Sequence, residues 1–253
     1  YRRALEHDPA RFDALNLLGL ILLQGGDHAR AAEMLQRAVQ SHDGHAPTWV
    51  NLGFARQSLG EVDAALHAYD VALTLDATQV QARYNRGQLL ARSGRYEDAL
   101  RDFRRLIGHV PGHADAHRQR IRLLERLGRW DEALQALDDS MARQIDGLDK
   151  AHFERAVILY RLGRWAQCVE ACDRAIAADP GHFAAWRRRG LAQEMAHLNG
   201  VIVMSRHLAL LRGYSSELAA VAGALHDLGR FQLGVYGKEH ASQGAKQAVR
   251  ILK

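Results

Sequence analysis

The sequence predicts an all-α fold in which pairs of helices stack into a right-handed superhelix. Two observations carry this prediction: a unit of about 34 residues recurs along the chain, and each recurrence contains a similar turn signal. A fixed period of this size is typical of a solenoid, because one helical pair cannot bury its apolar face without its neighbours. The turn signals are Leu59-Gly60, Ser93-Gly94-Arg95-Tyr96, Leu127-Gly128-Arg129-Trp130 and Leu162-Gly163-Arg164-Trp165.

The composition narrows the class of protein further. The chain has 253 residues, of which 47% are hydrophobic and only 4 are proline, so it can bury an extended core and is not of the disordered type. No apolar run approaches the length that a membrane-spanning helix needs. We therefore expect no membrane partner and a cytoplasmic location. The formal net charge of +5 favours acidic partners.

One unit, centred on the turn at Gly60, shows how each pair of helices is built. Side chains three and four residues apart share a helix face, so we expect the large Trp49 and Leu52 to fill the space that small residues leave. Those small residues are Gly53 on the first helix and Ala65 on the second. Gly60 provides the permissive backbone that the turn between the helices requires.

The same pattern recurs on both sides of this unit, and it resembles the tetratricopeptide repeat family in unit length, residue types and order. The resemblance covers roughly residues 1–196. We assign residues 1–190 to the repeat array and residues 191–253 to a helical C-terminal segment. The equivalent residues are Leu15, Gly19, Gly26 and Ala31 in the first unit, Gly87, Gly94, Tyr96, Ala99 and Pro111 in a later one, and Gly128, Trp130, Gly163, Trp165 and Pro180 further on.

The resemblance implies a function, because arrays of that family bind peptides or proteins in an inner groove formed by the first helix of each unit. We therefore expect a protein-interaction scaffold. The predicted groove residues are Asn51, Tyr84, Asn85, Arg118, Arg122, Arg126, Arg187 and Arg188.

Three of these arginines are spaced four residues apart, which places them on one helix face. They are Arg118, Arg122 and Arg126, and guanidinium groups suit carboxylates or phosphates. An acidic peptide or protein is the predicted partner. The alternative is a solvated face whose charge is relieved by neighbouring carboxylates. Nucleic acid is disfavoured, because the repeats offer no evident row of exposed aromatic side chains for stacking.

Two equivalent amides suggest how a peptide backbone could be held. Asn51 and Asn85 occupy the same place in consecutive units, which resembles the asparagine ladder of O-GlcNAc transferase arrays. The dicarboxylate clamp of chaperone-binding members of the family is absent from the corresponding places. Binding of chaperone tails is therefore disfavoured.

The two cysteines, Cys168 and Cys172, are four residues apart on one predicted helix. This spacing could suit half of a metal site. Because both fall where a small apolar residue faces the neighbouring helix, we expect them to pack in the core.

The last sixty residues depart from the repeat and allow two interpretations. In the first they are a decayed repeat, in which His197 stands in the turn where a glycine is due. In the second, the phrases around His197, His226-Asp227 and His240 resemble the HD superfamily of metal-dependent phosphohydrolases. That resemblance implies that His197, His226 and Asp227 hold a first divalent transition metal and that His240 serves a second.

The HD-like pattern is incomplete in this sequence. The family closes its first metal site with an Asp on a later helix, and no acidic residue follows Glu239. We therefore expect no tight catalytic metal and no certain cofactor. The predicted function is a scaffold, with a phosphohydrolase that uses its repeats for recruitment as the alternative.

Overall fold

The computed structural model of the chain describes residues 11–145 and 150–211, with side chains as far as residue 203. Every regular element in these residues is an α-helix, and the helices follow one another in pairs. The predicted all-α repeat fold is confirmed.

The chain divides into two compact units, residues 1–148 and residues 149–253. The helices described in the first are α1 (Phe12–Gln24), α2 (His28–Ser41), α3 (Ala46–Ser58), α4 (Val62–Leu75), α5 (Val80–Arg92), α6 (Tyr96–His109), α7 (Ala114–Arg126) and α8 (Trp130–Ala142). Those described in the second are α9 (Ala151–Arg161), α10 (Trp165–Ala178) and α11 (Phe183–Leu211).

Each turn from a first helix to its second helix contains a glycine in the left-handed conformation, which glycine adopts without steric cost. The amide of the next residue donates to a carbonyl one turn back, as Glu61 N does to Arg56 O at 3.0 Å. This Schellman pattern satisfies carbonyls that the helix end would otherwise leave unpaired. The glycines are Gly26, Gly60, Gly94, Gly128 and Gly163, with φ between 69° and 80°.

A second set of glycines lets the paired helices approach closely. A Cβ atom added at Gly53 would lie 2.6 Å from Cε1 of the buried Tyr69, which is closer than real Cβ contacts come. The pairs Gly19 with Leu35 and Gly87 with Phe103 repeat this contact. The predicted role of Gly53 is therefore confirmed. Leu52 lies in the core and Trp49 packs against it, as predicted. The space directly at Gly53 is filled by Tyr69 of the second helix, which was not predicted from the sequence.

One buried histidine sits where α7 packs on α8. His117 is 2% exposed, its Nε2 lies 2.9 Å from the Pro111 carbonyl and its Nδ1 lies 2.8 Å from Ser140 Oγ. A carbonyl only accepts, so Nε2 carries the proton in the contact with Pro111. The Ser140 hydroxyl lies beside Nδ1 and also donates to the Ala136 carbonyl at 2.7 Å. Burial, more than any other influence, lowers the pKa of His117.

The end of α8 differs from the ends of the other second helices in the first unit. Gln144 follows it with φ of 53°, a left-handed conformation that is uncommon for a residue other than glycine. The turn glycines Gly128 and Gly163 are also 35 residues apart, whereas Gly94 and Gly128 are 34 apart. The repeat register therefore slips by one residue between α8 and α9.

In the second unit, α9 and α10 form a helical pair whose core includes both cysteines. Cys168 and Cys172 are fully buried, and the Cys168 thiol donates to the Ala156 carbonyl at 3.2 Å. The prediction that they pack in the core is confirmed.

A single helix, α11, follows this pair, and it runs for 29 residues without a turn. Both the assigned boundary after residue 190 and His197 lie within it. The decayed-repeat interpretation predicted a turn at His197. The structure has a continuous helix there, so that prediction was wrong. No glycine stands at that place to reverse the chain, and Gly200 lies inside the helix.

The contact at Gly53 gives a stability prediction. Gly53→Ala places a methyl group against the Tyr69 ring, so we expect a loss of about 1–3 kcal/mol in the free energy of unfolding, measured by urea denaturation. Gly108→Ala is the control, because no atom lies within 4 Å of its added Cβ. The control should be neutral or stabilising by up to about 1 kcal/mol. Equal effects of the two substitutions would contradict the close-approach argument.

His117 gives a pH prediction. Its folded pKa lies below the unfolded value of about 6.5, so the unfolded state binds more protons below that pH. The contribution of His117 to stability is complete above about pH 6.5 and is lost as pH falls towards the folded pKa. Urea midpoints measured from pH 8 down to pH 5 should therefore fall less steeply for His117→Gln than for the natural chain. Parallel curves would show that His117 does not cause the loss.

Candidate partner-binding surface

The first helices of successive units in the first compact unit lie side by side. α1 contacts α3, and α3 contacts α5. Across the first of these contacts the Thr48 hydroxyl donates to Asn16 Oδ1 at 3.0 Å. We call the accessible side chains of the first helices α1, α3, α5 and α7 the inner surface; in this unit they include Asn51, Phe54, Tyr84, Gln88, Arg92, Arg118, Arg122 and Arg126.

The two amides of the predicted ladder differ in accessibility. Asn51 is partly exposed, whereas Asn85 is 7% exposed and its Oδ1 accepts a hydrogen bond from Gln81 Nε2 at 2.8 Å. The Asn85 amide also acts on the hydroxyl of the buried Tyr69, which donates to Gln57 Oε1 at 3.0 Å. In this conformation Asn85 is therefore occupied by contacts within the array, and Asn51 is the amide that remains accessible.

Tyr84 lies half-buried on the inner surface and is held from several sides. Its ring stacks on His113 with centroids 5.2 Å apart and meets the edge of Phe103 at 5.9 Å. Its hydroxyl oxygen accepts from Gln88 Nε2 at 2.9 Å. Burial first, and then the charge of Asp115, raises the pKa of Tyr84, so the phenol is neutral at physiological pH. It offers a rigid aromatic edge with one hydroxyl.

The three predicted arginines of the first unit all lie on α7 but are used differently. Arg118 pairs with Asp115 one turn earlier. Arg126 donates to the Tyr96 hydroxyl at 3.2 Å, with its guanidinium carbon 5.8 Å from the centre of that ring. Arg122 is exposed and has no hydrogen-bond or ion-pair partner among the described residues. A carboxylate that binds here would meet Arg122 first.

Sequence reasoning missed one cation of this surface. Arg92 is exposed at the end of α5, and the structure shows no partner for it within the described part of the chain. It stands 34 residues before Arg126, so the repeat register itself was a signal that could have found it.

The second compact unit places its two predicted arginines on α11. Arg187 is exposed, and the guanidinium carbon of Arg188 lies 4.7 Å from the centre of the Tyr160 ring. A cation held over an aromatic face keeps its charge while losing freedom of movement. α9 and α11 contact one another, so these side chains belong to the first-helix surface of that unit.

The structure does not assemble the predicted metal site. His197 is exposed on α11, whereas His226, Asp227 and His240 lie outside the described residues. No group of three or more His, Cys, Asp or Glu side chains that could hold a metal occurs in residues 11–145 or 150–203. The divalent-metal set therefore stays a prediction.

The fold and this surface define a class, the helical-repeat proteins whose stacked first helices present a polar and basic face. Within that class the chain belongs to the tetratricopeptide repeat family. Family models described as tetratricopeptide repeat match residues 1–46, 51–106, 84–147 and 149–182. Proteins of this family act as protein-interaction scaffolds.

Curated relatives match parts of the chain. The tetratricopeptide repeat and J domain-containing co-chaperone DNJ1 of Fusarium oxysporum is 36% identical over 76 residues, 30% of this chain and 15% of the relative. The BBSome complex member BBS4 of Xenopus tropicalis is 30% identical over 105 residues, 42% of this chain and 20% of the relative. The TPR repeat-containing protein PA0015 of Pseudomonas aeruginosa is 41% identical over 61 residues, which are 24% of this chain and 58% of the relative. The chain thus spans at most 58% of these relatives.

Solved structures share the fold. YrrB, described as a TPR protein with an unusual peptide-binding site, superimposes with a TM-score of 0.62 at 19% identity, covering 75% of this chain and 97% of its own. A tetratricopeptide repeat protein from Parabacteroides merdae gives 0.60 at 20% identity, covering 95% and 93%. None of the reported matches supports the resemblance of the tail to phosphohydrolases. In the described part of the chain, no helix is long and apolar enough to cross a membrane.

Proposed function

We propose that the chain is a scaffold that binds an acidic peptide or protein segment on the inner surface of its first compact unit. The observation that carries the proposal is Arg122, an exposed guanidinium with no partner among the described residues, with Arg118 and Arg126 on the same helix. An exposed arginine ready to form two parallel hydrogen bonds suits a carboxylate. Family membership supports a protein partner over a small substrate.

The surroundings of Arg122 make the binding charge-dependent rather than tight. Arg92 adds a second cation that has no partner in the described part of the chain, while Arg118 shares its charge with Asp115. Exposed ion pairs contribute about 0.2–1 kcal/mol each, so useful affinity requires several carboxylates together. A glutamate-rich segment of a partner meets this requirement. Aromatic side chains near the arginines are engaged internally, as Tyr84 and Tyr96 show, which disfavours stacked nucleic-acid bases.

An exposed apolar side chain, Phe54, lies on the same surface two units before α7. Phe54 is 41% exposed on α3, with its ring edge-on to His28 at 6.1 Å. Neighbouring helices pack about 8–10 Å apart, and if α7 follows α5 as α5 follows α3, two such steps separate α3 from α7 by about 16–20 Å. An extended chain covers that distance in five or six residues, at about 3.3 Å each. We infer a partner segment with a bulky apolar side chain about six residues from its carboxylates.

The charge contribution is tested with a fluorescent glutamate-rich peptide whose ends are blocked. Its affinity, followed by anisotropy, should fall as sodium chloride rises, because salt screens exposed charges over about 10 Å at 0.1 M. Arg122→Gln should weaken binding about two- to five-fold, as one exposed pair allows. Arg101→Gln on the second helix α6 is the matched control and should leave binding unchanged. Binding of nucleic acid without binding of the peptide would refute the proposal.

The apolar contact is tested with two peptides of equal composition. One places a leucine six residues from a glutamate pair, and the other places it beside the pair. The spaced peptide should bind about five-fold more tightly, because its leucine removes part of the Phe54 surface from water. Phe54→Ala should abolish this difference, whereas Leu59→Ala, which is equally exposed at 41%, should preserve it. Equal affinities for both peptides with the natural chain would remove Phe54 from the site and leave the charge proposal standing.

A further inference from the structure

An arginine stands at the seventh position of three first helices, and in two of them it is held by acids from second helices. Arg86 on α5 donates through Nε to Asp102 Oδ2 at 2.8 Å and through Nη1 to Asp70 Oδ1 at 2.6 Å. Arg189 on α11 pairs with Asp173 on α10. The arginine at this position therefore closes the space between a first helix and the second helices beside it.

The third of these arginines, Arg120 on α7, lacks both acids. The residue 34 positions after Asp70 is Arg104, and the residue 34 positions after Asp102 is Ala136. Arg104 itself pairs with Glu132 at 3.0 Å. The Nε atom of Arg120 is buried and has no hydrogen-bond partner in the described part of the chain. The array places a guanidinium here, and residues 11–145 and 150–203 supply no acceptor for its Nε–H group.

The charged groups around Arg120 do not compensate for the burial of its guanidinium group. Burial first, and then the charge of Arg104, lowers the pKa of Arg120, with Arg143 acting in the same direction. Asp139 and Glu132 oppose this shift, but neither forms a hydrogen bond with it. For Arg86, burial also acts to lower the pKa, but the hydrogen bonds that it donates to Asp102 and Asp70 prevail and raise it. The two arginines therefore differ in their acceptors.

We propose that Arg120 and Arg104 form a binding site for one oxyanion, a phosphate group or a carboxylate, in the place where the neighbouring unit has its own aspartates. A buried guanidinium donor without an acceptor binds such a group through charge-assisted hydrogen bonds. This site is distinct from the inner surface. Arg120 and Arg122 are two residues apart on α7, so they project about 200° apart around the helix.

The direct test is a titration of the full chain with inorganic phosphate, observed through the nuclear magnetic resonance signals of arginine Nε–H groups. The Arg120 signal should shift saturably, and the Arg86 signal, whose acceptor is Asp102, should stay in place. A parallel titration with acetate distinguishes the two ligand classes, since a response to phosphate alone identifies a phosphate group. An Arg120 signal that moves with neither anion overturns the proposal.

The matched variants are read by thermal unfolding, with sodium chloride of equal ionic strength as the control. Phosphate should raise the unfolding midpoint of the natural chain, and Arg120→Gln should weaken the apparent affinity at least about ten-fold, as expected for a lost hydrogen bond to a charged group. The same phosphate response in Arg120→Gln as in the natural chain would refute the site.

The converse experiment supplies the missing acceptor. Ala136→Asp places a carboxylate where Asp102 stands beside Arg86, so phosphate should no longer raise the midpoint. Ala136 is buried, and that variant can fail to fold. Arg104→Asp, at the exposed place equivalent to Asp70, then makes the same test. Phosphate binding retained at full strength in a folded variant of either kind contradicts the proposal.

Discussion

The close approach of the two helices in the first three described pairs is the contact on which the rest of the structure depends. A glycine on the first helix accepts the body of a Leu, Tyr or Phe side chain from the second, as Gly53 accepts Tyr69. Because the interior is packed as densely as a crystal, this distance fixes how each pair meets its neighbours. The stacking in turn sets the first helices side by side. The position of Arg122 relative to Phe54 therefore follows from contacts on another face of those helices.

Much of the fold could be predicted because it is determined by interactions between residues that are close together in sequence. The turn glycines Gly60 and Gly94 mark helix ends through local backbone geometry, and the 34-residue period carries that information along the chain. The path of α11 could not be predicted in this way. At His197 the sequence shows only that the turn signal is missing, and the absence of a signal does not say whether the helix stops.

The candidate site was less predictable, because the use of a polar side chain depends on partners far away in sequence. Asn51 and Asn85 occupy equivalent places, yet Asn85 is buried against Gln81 and Tyr69 while Asn51 remains accessible. The arginines show the same limit. Arg86 is neutralised by Asp70 and Asp102, each 16 residues away. Arg122 has no neutralising partner among the described residues. A row of cations in sequence thus separates into structural and accessible members only when the repeats are stacked.

The change of register after α8 has a thermodynamic consequence. In a solenoid the free energy of folding is approximately a sum of terms for single repeats and for nearest neighbours. The slip between Gly128 and Gly163, together with the left-handed Gln144, falls beside the division between the two compact units. A ligand held by α3 to α7 lowers the free energy of the first block of repeats, by about 2.7 kcal/mol at a hundred times its dissociation constant. Ligand binding would then slow amide hydrogen exchange in the helices of that block, because they open less often when the ligand is bound.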